Sequence, residues 1–206
     1  MFPPFCYKVF KAVFYIILKL YNRIEIRHAD RVPEKGGVIV VANHASYFDP
    51  PAIGVSVRRK ATFMAKESLF RRPFLIGRFV SSFALPVRRG RPRPSTIKDV
   101  VERLKRGELI IMFPQGGRNA GVENLDIKRG VDLIARLSGA VIVPALLEGT
   151  DRALPVGAIL PRPAKIRVSF GHPIEAGDSD DLTGLVSPSA GLVAEAFRIL
   201  KEETKN

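Results

Sequence analysis

The chain has 206 residues, of which 46% are hydrophobic and 26% are charged, and its formal net charge is +13. This composition is typical of one folded domain and excludes an intrinsically disordered chain. The longest segments without a charged residue, Gly36–Phe48 and Leu182–Ala194, have 13 residues each, whereas a membrane-spanning helix needs about 18. The single cysteine, Cys6, excludes an internal disulfide and a multi-cysteine zinc site.

Residues 1–30 are predicted to form an amphipathic interfacial helix that precedes a domain of residues 31–206. Lys8, Lys11 and Lys19 share one side of this helix, and a wide apolar face with aromatic residues suits a helix in the head-group plane of a membrane. A helix packed on the domain core fits the same pattern. Because no small-residue cleavage site marks a signal peptide, we expect a peripheral or monotopic protein on the cytoplasmic face of the cell membrane. The apolar side comprises Phe2, Phe5, Cys6, Val9, Phe10, Val13, Ile16, Ile17 and Leu20.

The remaining chain alternates short β-branched runs with amphipathic segments. This alternation predicts a single α/β domain with a mixed, largely parallel sheet flanked by helices. The predicted strands are Val38–Ala42, Ala61–Ala65, Phe83–Val87, Leu109–Phe113, Val141–Ala145 and Lys165–Phe170. The predicted helices are Ser68–Ser81, Thr96–Lys105, Lys128–Leu137 and Leu192–Glu203.

The positive charge is concentrated in one part of the chain. Between Arg58 and Arg106 there are 15 basic residues and three acidic ones. Such a surface favours an anionic partner, and nucleic acid, anionic lipid and phosphorylated small molecules all fit, as does a solvated basic face. A nucleic-acid-binding module is the weaker alternative because the chain lacks tryptophan and has few aromatic residues among these cations.

The turn after the first predicted strand carries a histidine and an aspartate. His44 and Asp49 would lie about 140° apart on a continuous helix, but they can meet if the strand ends near His44 and a helix begins at Asp49. We expect Asp49 to be the N-cap and Pro50 to take the first helical position. A carboxylate bound to one ring nitrogen fixes the imidazole tautomer and leaves the other nitrogen as a base. A helix cap beside a partly buried histidine would have the same spacing.

Two further segments place glycines and arginines after strands. Gly116 and Gly117 allow the backbone to approach a ligand closely, and Arg118 offers a planar fork that matches phosphate. Arg88 and Arg89 follow another extended run. Ligands of such sheets bind beyond the carboxyl ends of the strands, so these loops predict a phosphorylated substrate whose hydroxyl is deprotonated. A plain turn with solvated arginines is the alternative.

Four sequence blocks resemble the glycerophospholipid acyltransferase family, and within it the 1-acyl-sn-glycerol-3-phosphate acyltransferases. Asn43-His44-x₄-Asp49 matches the first block, and Ala65–Phe70 with Pro73, Phe74, Gly77 and Pro86–Arg89 matches the second. Phe113–Arg118 matches the third block, and Val143-Pro144 occupies the place of the fourth. The resemblance covers residues 32–171, and all four blocks occur in the family's order.

The resemblance implies a general base, His44, that takes the proton of the acceptor hydroxyl as this hydroxyl attacks an acyl thioester. It implies that Asp49 orients His44, that Arg118 and Arg89 bind the acceptor phosphate, and that Gly116 lets it approach. The acceptor would be the sn-2 hydroxyl of 1-acyl-sn-glycerol-3-phosphate, the donor acyl-CoA or acyl-carrier protein, and the product phosphatidic acid. An anionic membrane surface is an expected partner, whereas no metal, bound cofactor or nucleic acid is expected.

Three positions depart from the family pattern at the acceptor site. The family's glutamate is Gln115, which carries no charge, and its threonine is Gly117, as in the Gly-Gly-Arg version of the related glycerol-3-phosphate acyltransferases. Arg88 replaces an aspartate and makes the phosphate end more cationic, and Lys66 is a further expected substrate-binding cation. Glycerol-3-phosphate or another lysophospholipid is therefore an alternative acceptor, and an inactive relative is a further alternative.

Overall fold

The computed structural model of the chain describes residues 4–67, 70, 83–87, 93–114, 130–175 and 188–204. Seven strands and six α-helices lie in these ranges. The strands are β1 (Glu25–Arg27), β2 (Val38–Ala42), β3 (Ala61–Lys66), β4 (Ala84–Val87), β5 (Leu109–Met112), β6 (Val141–Glu148) and β7 (Arg167–Phe170). The helices are α1 (Pro4–Leu20), α2 (Asp49–Ser56), α3 (Pro94–Lys105), α4 (Gly130–Ser138), α5 (Thr150–Ala153) and α6 (Pro188–Glu203), and a 3-10 turn spans Ala29–Arg31.

All seven strands form one sheet in the order β1-β7-β6-β2-β5-β3-β4. Each neighbouring pair is parallel except β6 and β7, which are antiparallel. In the centre, Val40 of β2 lies opposite Ile111 of β5 and Val143 of β6. The predicted single domain with a mixed, largely parallel sheet is confirmed.

The sheet is buried on both faces, as parallel sheets with crossover helices require. All five residues of β2 are buried, and successive side chains point to opposite faces. Val38, Val40 and Ala42 join a core with α1 and α2, where Leu18 and Ile53 are fully buried. The intervening residues of β2 join a second core with α3, α4 and α6, which includes Ile39, Val41, Val100, Ile134 and Phe197.

The predicted strands and helices of the described ranges are present with shifted ends. The last predicted strand begins at Arg167 rather than Lys165, and the C-terminal helix begins at Pro188 rather than Leu192. Strand β1 was not predicted because three residues are too few to show a period. It pairs with β7 and lies within the segment 1–30, whose helix ends at Leu20. The predicted helix Ser68–Ser81 falls almost wholly outside the described residues.

Helix α1 packs on the domain through the side that carries Tyr7, Lys11 and Leu18. Leu18 is fully buried, the backbone N–H of Ala61 donates to the Tyr7 hydroxyl at 3.1 Å, and the Lys11 ammonium donates to the Val57 carbonyl. Lys11 therefore faces the domain rather than solvent, because its ammonium meets a carbonyl at the end of α2; burial lowers its pKa. The opposite side carries a stripe of exposed apolar side chains, namely Val9, Val13, Ile16, Ile17 and Leu20.

In the parts of the chain that the structure describes, no helix is both long enough and apolar enough to cross a membrane.

Candidate active site

The turn after β2 brings the predicted histidine and aspartate together. Strand β2 ends at Ala42 and α2 begins at Asp49, so the chain reverses within six residues. His44 Nδ1 lies 2.8 Å from Asp49 Oδ2. The same carboxylate oxygen accepts hydrogen bonds from the backbone N–H groups of Ala45 and Ser46, each at 2.7 Å. The predicted meeting of the two side chains is confirmed.

The expected capping role of Asp49 is wrong. The residue before the helix is Phe48, and it makes no side-chain cap. Asp49 is the first helical residue, and its carboxylate accepts from N–H groups that precede the helix rather than from those inside it. The carboxylate therefore connects the turn before α2 to the start of the helix, whereas an N-cap would accept from N–H groups within the helix.

The hydrogen bond to Asp49 has a chemical consequence for His44. An ionised carboxylate accepts hydrogen bonds and does not donate them, so Nδ1 carries the proton and Nε2 is the nitrogen able to take one. Asp49 is fully buried, while the His44 side chain is 14% exposed. The buried carboxylate thus holds the imidazole at Nδ1, the ring nitrogen that is not the candidate base.

Two polar side chains for which the sequence predicts no role hold this turn in place. Asn43 pairs with Leu147 of β6 as a backbone would, donating to its carbonyl at 2.8 Å and accepting from its N–H at 2.7 Å. Ser46 donates through its hydroxyl to the Leu154 carbonyl at 2.7 Å and accepts from the Phe48 N–H at 3.1 Å. The available signal was a histidine after a buried strand with two polar residues, Asn43 and Ser46, within two positions of it.

Phe113 is a further site residue that the sequence analysis left without a role. It follows β5, and its ring stacks on the His44 imidazole with centroids 4.4 Å apart and planes at 26°. Because β2 and β5 are parallel neighbours, the residues after both strands meet at one edge of the sheet. The contact places the first residue of the third sequence block at His44.

The other predicted site residues are only partly within the described structure. Lys66 ends β3 at that same edge, where it lies opposite Val87, the last residue of β4; its side chain lies outside the description. The remaining predicted residues, Arg88, Arg89, Gln115, Gly116, Gly117 and Arg118, follow β4 and β5 in the chain and lie outside the described residues. Among the residues that are described, no three His, Cys, Asp or Glu side chains cluster as a metal site would require.

Comparison with known proteins identifies the family. Residues 23–148 match the family model described as Acyltransferase. The 1-acyl-sn-glycerol-3-phosphate acyltransferase of Bacillus subtilis (strain 168) is 30% identical over 201 residues, which is 97% of this chain and 98% of that protein. The chain belongs to the acyltransferase family. The resemblance predicted from the four sequence blocks and the expectation of an O-acyltransferase are thereby confirmed.

Other relatives extend the comparison. The 1-acyl-sn-glycerol-3-phosphate acyltransferase of Streptococcus pneumoniae (strain ATCC BAA-255 / R6) is 27% identical over 194 residues, covering 92% of this chain and 70% of that protein. The crystal structure of the 1-acyl-sn-glycerophosphate (LPA) acyltransferase PlsC from Thermotoga maritima superposes with a TM-score of 0.74, covering 96% of this chain and 79% of that one. At 22% identity, this last likeness concerns the fold.

Proposed function

We propose that this acyltransferase esterifies the sn-2 hydroxyl of 1-acyl-sn-glycerol-3-phosphate and releases phosphatidic acid for phospholipid synthesis. The observation that carries the proposal is the 2.8 Å contact between His44 Nδ1 and the buried Asp49 carboxylate, at the carboxyl end of β2 and its parallel neighbours. That geometry suits the removal of a proton from a substrate hydroxyl. The acceptor is proposed from two relatives that carry the name of this activity, of whose length the chain covers 98% and 70%.

In the proposed reaction, His44 Nε2 takes the proton of the acceptor hydroxyl as its oxygen attacks the thioester carbonyl. Asp49 supports the imidazolium that forms, since a carboxylate beside it offsets the new positive charge. The C–S bond of the tetrahedral intermediate then breaks, and the proton on His44 passes to the leaving thiolate. One ester and one thiol are formed, and the enzyme returns to its starting protonation state. No serine or cysteine nucleophile takes part.

The substrates are assigned from the chemistry of the predicted binding residues. The acceptor phosphate is proposed to bind Arg118 and Arg89, since a guanidinium pairs with phosphate through two hydrogen bonds. Gly116 and Gly117 would let the backbone approach, and Gln115, Arg88 and Lys66 would complete the site. The donor is proposed to be acyl-CoA or acyl-carrier protein, and no resident cofactor or metal is proposed.

The enzyme is proposed to act peripherally at the cytoplasmic face of a membrane, where its lipid acceptor resides. Support comes from α1, whose buried side contacts the domain and whose exposed apolar stripe runs from Val9 to Leu20. A helix of this kind lies in the head-group region with its apolar face toward the acyl chains. The cationic segment between Arg58 and Arg106 adds attraction to anionic lipid.

The direct test is acyl transfer by the purified chain. Labelled oleoyl-CoA is supplied with 1-acyl-sn-glycerol-3-phosphate and, in parallel, with glycerol-3-phosphate. We expect transfer to the lysophospholipid and its loss in His44→Ala, with unchanged transfer in His172→Ala, since His172 is an exposed histidine outside the site. Activity that survives His44→Ala refutes the mechanism. Transfer only to glycerol-3-phosphate keeps the mechanism and corrects the acceptor.

A carrier-protein donor and loss of catalytic function are separated in the same assay. If neither acceptor reacts with oleoyl-CoA, the measurement is repeated with oleoyl-acyl-carrier protein. Transfer in that arm assigns the donor. Failure in both arms by a folded protein refutes the proposed activity and favours an inactive relative, in which the uncharged Gln115 replaces the family's glutamate.

A further inference from the structure

We propose that the loop between α5 and β7, residues 154–166, is a second lipid-contact element that inserts Ile159 and Leu160 into an anionic phospholipid bilayer beside α1. The proposal deepens the proposed function, on which it rests in one respect: the acceptor of that reaction is a membrane lipid. It concerns a segment outside the helix and outside the catalytic turn.

The first argument is the exposure of apolar side chains. Among the large hydrophobic residues of the described structure, the three most exposed are Ile159 at 93%, Leu20 at 78% and Leu160 at 77%. Val156 of the same loop is also more than half exposed. Neighbouring apolar side chains that are exposed to this extent mark interaction surfaces.

The second argument is position, because the loop is fastened to the end of α1. The Tyr21 hydroxyl donates to the Pro161 carbonyl at 3.2 Å. The Asn22 side-chain amide donates to the carbonyls of Arg162 and Ala164 at 3.0 and 3.2 Å. The exposed stripe of α1 ends at Leu20, directly before these contacts, so the loop extends that stripe to a second segment of chain.

The third argument is charge, which favours an anionic lipid surface over a protein partner. Residues 152–174 contain no Asp or Glu and four basic residues. Beside the loop, a groove of about 550 Å³ between α1 and β1 is lined by Lys19, Arg23 and Lys165 with one carboxylate, Glu25, which lies 2.6 Å from the Lys165 ammonium. Basic residues around an apolar insertion attract anionic head groups.

The loop is also joined to the catalytic turn. Its first residue, Leu154, accepts the hydrogen bond from the Ser46 hydroxyl, and the Ser46 N–H in turn donates to Asp49. Insertion of Ile159 and Leu160 would therefore hold the turn that carries His44 near the lipid surface, where the acceptor lies.

Insertion can be measured with a single tryptophan because the natural chain has none. Ile159→Trp is mixed with vesicles of phosphatidylglycerol and phosphatidylcholine, with and without brominated acyl chains. We expect a blue shift of the emission and quenching by the brominated chains. Leu192→Trp is the matched control, because Leu192 is an exposed residue of α6, which packs on the opposite face of the sheet. Equal, unshifted emission from both variants overturns the proposal.

Affinity provides a second test. Vesicle co-sedimentation compares Ile159→Ser/Leu160→Ser with Leu192→Ser/Ile199→Ser, a pair of large apolar positions on α6 that are 55% and 45% exposed. Because withdrawing one Leu-sized side chain from an apolar phase costs about ten-fold in partition, we expect at least a ten-fold loss of vesicle affinity in the loop variant and less than two-fold in the control. Equal affinities with intact circular dichroism spectra overturn the proposal.

Neither measurement depends on turnover, so the two proposals can fail separately. Tryptophan insertion without acyl transfer to any acceptor leaves the lipid-contact loop standing and removes the proposed function. Acyl transfer without insertion has the opposite meaning. If both hold, the loop variant should lose activity on vesicle-borne acceptor and keep it on acceptor dispersed in detergent.

Discussion

Replacement of Asp49 by asparagine separates the charge of this residue from its place in the turn. The carboxylate oxygen Oδ2 accepts from His44 Nδ1 and from two backbone N–H groups. In Asp49→Asn the amide oxygen must occupy this position, because an NH₂ group cannot accept these hydrogen bonds. The turn and the His44 tautomer should therefore survive, while the negative charge is lost.

The expected loss of activity follows from the 2.8 Å contact. Opposite unit charges about 4 Å apart interact by about 4 kcal/mol at an effective dielectric constant of about 20. The amide dipole retains part of this energy, so about 3 kcal/mol of support for the imidazolium should be lost, which lowers kcat by about 10² to 10³. The NH₂ group takes the place of Asp49 Oδ1, which is buried without a hydrogen-bond partner in the described structure. This unsatisfied group costs about 1–3 kcal/mol of folding free energy, partly offset by removal of a buried charge.

The assay is acyl transfer at saturating substrates, with ¹⁵N NMR of the histidine ring as an independent readout of the tautomer. The double variant His44→Ala/Asp49→Asn should be no slower than His44→Ala, since Asp49 is expected to act through His44. A kcat within three-fold of wild type in a folded Asp49→Asn refutes this reasoning. Additive losses in the double variant would mean that Asp49 contributes to the reaction separately.

Three further predictions concern the site and the fold. Phe113→Leu removes the ring stacked on the His44 imidazole and should lower kcat by about ten-fold, since a small misplacement of the proposed base is costly; unchanged kcat would show that the stacking does not orient the ring. Gly149 has a positive φ of 79°, and the methyl group added by Gly149→Ala would overlap the backbone carbonyl of Lys165. This variant should lower the free energy of unfolding, measured with urea, by about 2–4 kcal/mol, whereas Gly157→Ala, also at positive φ but in open space, should lower it by about 1 kcal/mol. Hydrogen bonds from neighbouring cations lower the pKa of Glu25 to about 2, below its usual 4.5. The stabilising effect of its charge is therefore complete above pH 4.5 and declines as pH falls toward 2. The difference in unfolding free energy between wild type and Glu25→Gln, about 1 kcal/mol, should shrink over that range, and a constant difference would contradict the prediction.

The fold was predictable where the periodicity of burial is strong. Strand β2 is five consecutive buried residues, and α3 and α4 have sharply amphipathic sequences, so both kinds of element are visible in the chain. Strand β1 has three half-buried residues at the sheet edge, and its structure depends on pairing with β7, more than 140 residues away. Local sequence carries no signal for such a partner. Strand β7 runs antiparallel to β6. This direction is likewise set by the connecting residues 149–166, whose conformation depends on tertiary contacts.

The contact between His44 and Asp49 was predictable from the sequence, and the local geometry of the turn was less so. Spacing identified His44 and Asp49, because a turn between a strand and a helix can close the gap that a helix would leave open. The direction of the Asp49 carboxylate was wrong in the prediction, since an aspartate at a helix start is most often a cap. The contact of Phe113 with His44 depends on the order of strands in the sheet. Strand β5 lies beside β2 although β3 and β4 come between them in the chain, and the sequence alone does not reveal this order.

Helix α1 shows that an amphipathic pattern can be recognised in the sequence without revealing which side of the helix contacts the domain. Periodicity separates the apolar residues from the lysine side, and the usual inference would turn the apolar side to the core. The structure turns it outward, because Tyr7 and Lys11 meet backbone groups of the domain and Leu18, a large apolar residue on the lysine side, fills the core. Because the hydrogen bonds of Tyr7 and Lys11 point toward the domain, the apolar stripe of α1 faces solvent, and exposure of apolar side chains to water is unfavourable. That cost is offset when the stripe enters a lipid surface, which is why the orientation of α1 and the exposed loop beside it support the same membrane-bound arrangement.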